Sequence, residues 1–165
     1  MPTAAPITRD LTIDGFGLAA VGVIGLVASI VVVGGNATRV IVPWIIVLLV
    51  LGLAQVVIGG GWLRNAVQDA PDAPDDLVIE APGIQTRRAV TPTIVGAVLL
   101  VLALLVVPPF APIVAGLAAG AAATDLRSRQ WISADERAQG ITLLRETTPL
   151  PFATSRKRLW VRPTD

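Results

Sequence analysis

Four stretches of the chain carry no charged residue: Gly15–Gly35, Val40–Gly61, Val90–Pro108 and Pro109–Thr124. Every Asp, Glu, Lys and Arg falls in the polar segments between and around them. At a rise of 1.5 Å per residue, the first two would extend about 31–33 Å as helices, enough to cross the hydrocarbon of a bilayer. A soluble core does not segregate charge so completely. A membrane demands it, because a central Arg or Asp costs about 2.5–3.5 kcal/mol on the insertion scale. Residues 90–124 are too long for one crossing, and Pro108-Pro109 with Pro112 break them in the middle. The pattern predicts an all-α integral membrane protein with four transmembrane helices arranged as two hairpins, residues 15–62 and 90–124. The last helix is short, so whether it crosses fully is left open.

The polar segments differ in kind. Residues 1–14 form a short N-terminal segment. The 21-residue apolar run after it exceeds a signal peptide's core, and no small-residue cleavage site follows, so a retained helix is expected. Residues 63–89 contain Asp69-Ala70-Pro71-Asp72-Ala73-Pro74-Asp75-Asp76, an acidic, proline-punctuated run that predicts an extended solvated loop. Leu77-Val78-Ile79 could add a short strand or turn there, and clustered acid could also dock a basic surface. In the tail, residues 125–165, Ser133-Ala134-Asp135-Glu136 has the form of a capping box. It predicts a short amphipathic helix over Ala134–Glu146. Pro43 is expected in the first turn of the second helix, where its missing N–H does no harm.

Basic residues set the orientation. With four crossings, both ends and the 63–89 loop share one side, which then holds every Lys and Arg except Arg39. The positive-inside rule places that side in the cytoplasm and the chain in the plasma (inner) membrane as a multi-pass protein.

Composition removes several chemistries. The chain has no Cys, His or Tyr, and its one Met is Met1. Thiolate and imidazole metal sites, ordinary haem ligation and Ser-His or Cys-His nucleophiles are excluded. No enzyme activity, cofactor, metal or nucleic-acid partner is expected. Four-helix drug exporters of similar length need a membrane-embedded carboxylate for proton coupling, and these stretches contain none. An independent transporter is therefore the weaker alternative.

The remaining candidates concern packing and lipid. Gln55 is the one strongly polar side chain in mid-span and reads as an interhelical hydrogen bond. Gly116 and Gly120 form a G-x-x-x-G, and Gly25 and Ser29 a small-x-x-x-small, spacings that let helix backbones approach. The fourth helix is so poor in bulk that neighbours are expected on most of its sides. Trp44, Trp62, Trp131 and Trp160 are candidate interfacial anchors, and Arg156, Lys157, Arg158 and Arg162 candidate contacts for anionic lipid.

Twelve Arg against one Lys, with abundant Val, Ala and Gly, points to a GC-rich actinobacterial composition. In length, layout and this composition, over most of the chain, the protein resembles the LucB-type small accessory membrane subunits of actinobacterial Mce lipid importers. The resemblance implies a non-catalytic subunit beside a permease and an ATPase, assisting fatty-acid or sterol import, and it assigns no residue. An accessory subunit of a respiratory supercomplex fits the same facts.

Overall fold

A computed structural model of the chain describes residues 3–33, 36–54, 65–147 and 158–164. Four helices dominate it: α1 (Ile7–Val32), α2 (Ala37–Ala54), α3 (Pro82–Val106) and α4 (Ala111–Gln139). A single 3-10 turn, Pro108–Phe110, joins α3 to α4 at the prolines that interrupt the apolar run. Four strands accompany them: β1 (Thr3–Pro6), β2 (Val78–Ile79), β3 (Ile141–Glu146) and β4 (Leu159–Pro163). The molecule is mostly helical, and three helical segments, Ile7–Val32, Pro82–Val106 and Pro108–Gln139, are long and apolar enough to cross a membrane. Helix α2 is apolar but shorter over its described length.

Three helices outrun their charge-free stretches at the same end of the bundle. Helix α1 starts at Ile7, α3 at Pro82 and α4 ends at Gln139. Proline marks two of these starts: Pro6 precedes α1, and Pro82 occupies the first turn of α3, where no N–H is missed. Gly140 closes α4 in the left-handed conformation (φ 64°), its N–H donating to the Glu136 carbonyl. Because α2 begins at Ala37, Pro43 lies inside the helix rather than in its first turn, and Pro92 lies inside α3 likewise.

Small residues set the packing. An added Cβ on Gly15, Gly22 or Gly25 of α1 would lie within 3 Å of Leu126, Ala119 or Ala115 of α4, respectively. That descending series shows α1 and α4 running antiparallel. Helices α1 and α3 run parallel, with Asp10 beside Gln85, Gly17 against Thr93 and Gly25 against Leu100. Helices α2 and α4 also run parallel: Gly116 meets the Trp44 carbonyl and Val47, and Gly120 meets Leu51. Helix α4 therefore packs against both α1 and α2 through small residues, with Ala111, Ala115, Ala118 and Ala122 buried along it.

The extended helix ends meet a four-stranded sheet of order β2-β1-β3-β4, β1 pairing parallel with β2 and antiparallel with β3, and β3 antiparallel with β4. This corrects the expected tail. Ala134–Gln139 are the last turns of α4, and Ile141–Glu146 form a strand, not the second half of an amphipathic helix. The left-handed Gly140 stops the helix, and adjacent residues of a strand face opposite ways. Leu143 packs on one face with Ile7, Val67, Ile132 and Leu159; Leu144 packs on the other with Ala4 and Trp160. Both faces of the strand are covered, so its apolar residues are buried on two sides rather than along one helical stripe. Val78–Ile79 is a strand, as one reading of that segment allowed. The acidic run starts and ends in turns, at Asp69 and at Asp75-Asp76, and its middle is tied down: Ala73 N–H donates to the Val161 carbonyl, and Val161 N–H to the Pro71 carbonyl.

Candidate functional site

A polar layer sits where the helices emerge from their charge-free stretches and meet the sheet. Its centre is Asp10, 3% exposed in the first turn of α1. The carboxylate accepts hydrogen bonds from Arg88 Nη2 at 3.0 and 3.1 Å, Arg145 Nη2 at 3.0 Å and Gln85 Nε2 at 2.9 Å. Gln85 Nε2 also reaches the Pro6 carbonyl at 3.0 Å, and Arg88 donates to Glu80 Oε2 from Nε at 3.2 Å and Nη2 at 3.0 Å. Two acids face two guanidiniums, so charge balances within the cluster. One node thereby links α1, α3, β3, the end of β1 and the segment after β2. A buried ion pair stabilises little over an apolar replacement, yet removing one member strands its partner's charge. The node acts as a geometric latch between helices and sheet.

One turn toward the bundle, Asp14 of α1 and Asp125 of α4 stand close to each other, and Asp14 Oδ1 is buried without a hydrogen-bond partner. Each lies just outside a charge-free stretch. Farther out, the Glu136 carboxylate accepts the Leu143 N–H at 2.7 Å, fixing the start of β3 against the end of α4, and burial raises its pKa.

Among the described residues, no group of three or more acidic side chains, Cys or His is placed to hold a metal. Most of the node's polar groups are spent on one another and on the Pro6 carbonyl, while the buried Arg145 Nε has no partner.

The residues singled out in the sequence fall in several places. Gly25 and Ser29 are buried on α1, Ser29 donating to the Gly25 carbonyl at 2.6 Å. Gly116 and Gly120 face α2 of the same chain. Trp44 is half-buried on α2, and Trp131 is half-buried beside the Ile7–Ile132 cluster. Trp160 is buried against Ala4 and Leu144, which corrects its expected place as a lipid-level anchor. Arg158 and Arg162 are exposed on or beside β4. Gln55, Trp62, Arg156 and Lys157 lie outside the described residues. The node itself went unseen in the sequence. Asp10, Arg88 and Arg145 read there as ordinary flanking charges, and only their convergence from three distant segments distinguishes them. A better signal existed for α1: Gly15, Gly22 and Ser29 recur every seven residues, with Leu18 and Gly25 between, and all five are buried. Comparison with protein families, curated proteins and solved structures finds no match.

Proposed function

We propose that the protein is a non-catalytic accessory subunit of a larger plasma-membrane complex, anchored by four crossings with the sheet and both ends in the cytoplasm. The observation that carries the reading is the close packing of the described helices. Glycines bring α1 and α4 to backbone contact at Gly22 and Ala119, and Ala and Leu side chains fill the rest. Such a bundle is built to be held and to hold, not to pass a solute. Its outer faces are apolar, with Val31, Leu105 and Val106 about three-quarters exposed on α1 and α3. Lipid and partner helices are the natural cover for them.

A lipid importer for fatty acids or sterols is the assembly suggested by the resemblance to LucB-type subunits, and a respiratory supercomplex is the alternative. Purification of a tagged chain from native membranes in mild detergent tests both. Stoichiometric recovery of a permease and an ATPase is the expected result. Oxidase or cytochrome subunits in their place would transfer the protein to the respiratory reading. A monodisperse species containing this chain alone would overturn the accessory role.

A further inference from the structure

An open cleft of about 640 Å³ lies on the outer side of the polar layer, away from the Asp10 node. Helix α1 contributes Thr8, Arg9, Thr12 and Ile13 to it, α3 contributes Thr86, and α4 contributes Arg129 and Ser133. Neither Arg9 nor Arg129 makes an ion pair among the described residues, whereas Arg88 and Arg145 of the node are both paired. Two uncommitted guanidiniums on one concavity make an anion site.

The height of the cleft identifies the anion's source. Along the helix axes Arg9 lies about 9 Å beyond Gly15, Arg129 about 7.5 Å beyond Thr124 and Thr86 about 6 Å before Val90. The headgroup layer of one leaflet is about 5–8 Å thick. Thr86 and Arg129 therefore lie at headgroup level, and Arg9 stands just beyond it, within the length of its own side chain. The face of α1 that lines the cleft continues toward the bilayer centre. Arg9, Thr12, Phe16, Val23 and Val27 follow one another at helical spacing, and Phe16, Val23 and Val27 are 60%, 59% and 58% exposed. A charged cleft running into an apolar track has the polarity of a phospholipid.

The hydroxyls refine the headgroup. Thr12, Thr86 and Ser133 donate to backbone carbonyls of their own helices at 2.6, 2.8 and 3.1 Å. Their oxygens remain as acceptors, which suits a headgroup that carries hydroxyl donors and not a choline. We propose that this cleft holds one anionic, hydroxyl-bearing phospholipid of the phosphatidylglycerol type. Its phosphate sits between Arg9 and Arg129, and an acyl chain lies along α1 from Phe16 to Val27. The site stands apart from Arg158 and Arg162 on β4 and does not depend on the accessory-subunit reading.

Native mass spectrometry of the delipidated full chain tests it, with dioleoylphosphatidylglycerol, dioleoylphosphatidylcholine and glycerol phosphate titrated separately. The expected result is one saturable phosphatidylglycerol adduct, with phosphatidylcholine and glycerol phosphate binding far more weakly. R9Q/R129Q weakens that adduct about thirtyfold, the effect of two basic contacts at a membrane surface. Phe16→Ala weakens it further without touching charge, and R158Q/R162Q leaves it unchanged. Circular dichroism and gel filtration confirm that each variant is folded, and the single Arg129→Gln substitution, expected at an intermediate affinity, serves if the double variant is not. Equal affinity for phosphatidylcholine, or a loss that follows Arg158 and Arg162 instead, would overturn the proposal. Glycerol phosphate binding as tightly as the lipid would overturn it too, making the cleft a site for a soluble phosphate.

Discussion

Asp10 shows how much one residue can carry in this molecule. It is the shared acceptor of Arg88, Arg145 and Gln85, in a position 3% exposed. Asp10→Asn keeps the volume but removes the charge, leaving Arg145 without its carboxylate and Arg88 with Glu80 alone. Breaking a buried pair in this way costs about 3–5 kcal/mol, whereas an exposed substitution such as Arg162→Gln stays within about 0.5 kcal/mol. Thermal unfolding in detergent should show Asp10→Asn unfolding well below the parent and Arg162→Gln beside it. Equal midpoints for the two variants would mean that the node adds nothing to stability. Asp10 also marks what a sequence conceals. Flanking charge next to an apolar run reads as solvated, and nothing local to residues 9–14 announces partners 75 and 135 positions away.

Among the elements, the apolar helices were legible because the bilayer's demand on charge is written position by position. The turn at Pro108-Pro109 was equally plain. The sheet was not, because β2 has two residues, β1 four, and each strand finds its neighbour in a distant segment. The seven-residue spacing of Gly15, Gly22 and Ser29 was obscured by a chain rich in glycine and alanine. That spacing includes the point where α1 comes closest to the backbone of α4. A Cβ on Gly22 would lie 2.8 Å from the Ala119 Cβ and 2.9 Å from its backbone nitrogen, so the helices must separate to admit it. Gly22→Leu should destabilise by about 1–3 kcal/mol through overpacking. Gly83→Ala, where an added Cβ has nothing within 4 Å, should be neutral or slightly stabilising. Denaturant titration of both in detergent checks this, and an unchanged Gly22→Leu would show that α1 and α4 are not in contact there.

For the whole molecule, the sheet constrains topology. It joins residues 3–6, 78–79, 141–146 and 159–163 by hydrogen bonds, so all four segments must lie on the same side of any membrane the helices cross. The absence of cysteine makes the test clean, since one introduced thiol is the only one present. Thr38→Cys should react with a membrane-impermeant maleimide in intact cells, and Asp75→Cys and Arg162→Cys only after permeabilisation. Labelling of Thr38→Cys and Arg162→Cys under the same condition would refute the arrangement. The sheet also imposes an order on synthesis. Strand β1 leaves the ribosome first but sits between β2 and β3, and β3 emerges more than 130 residues later. Until then Asp10 lacks Arg145 and the N-terminal strand lacks an edge to join, although α1 can already be in the bilayer. Insertion can run helix by helix, but the layer at the bundle's end can close only once every crossing is made and correctly oriented. A chain with one helix inverted would present its strands on opposite sides and never close that layer, so the sheet serves as a final check on the threading of the membrane.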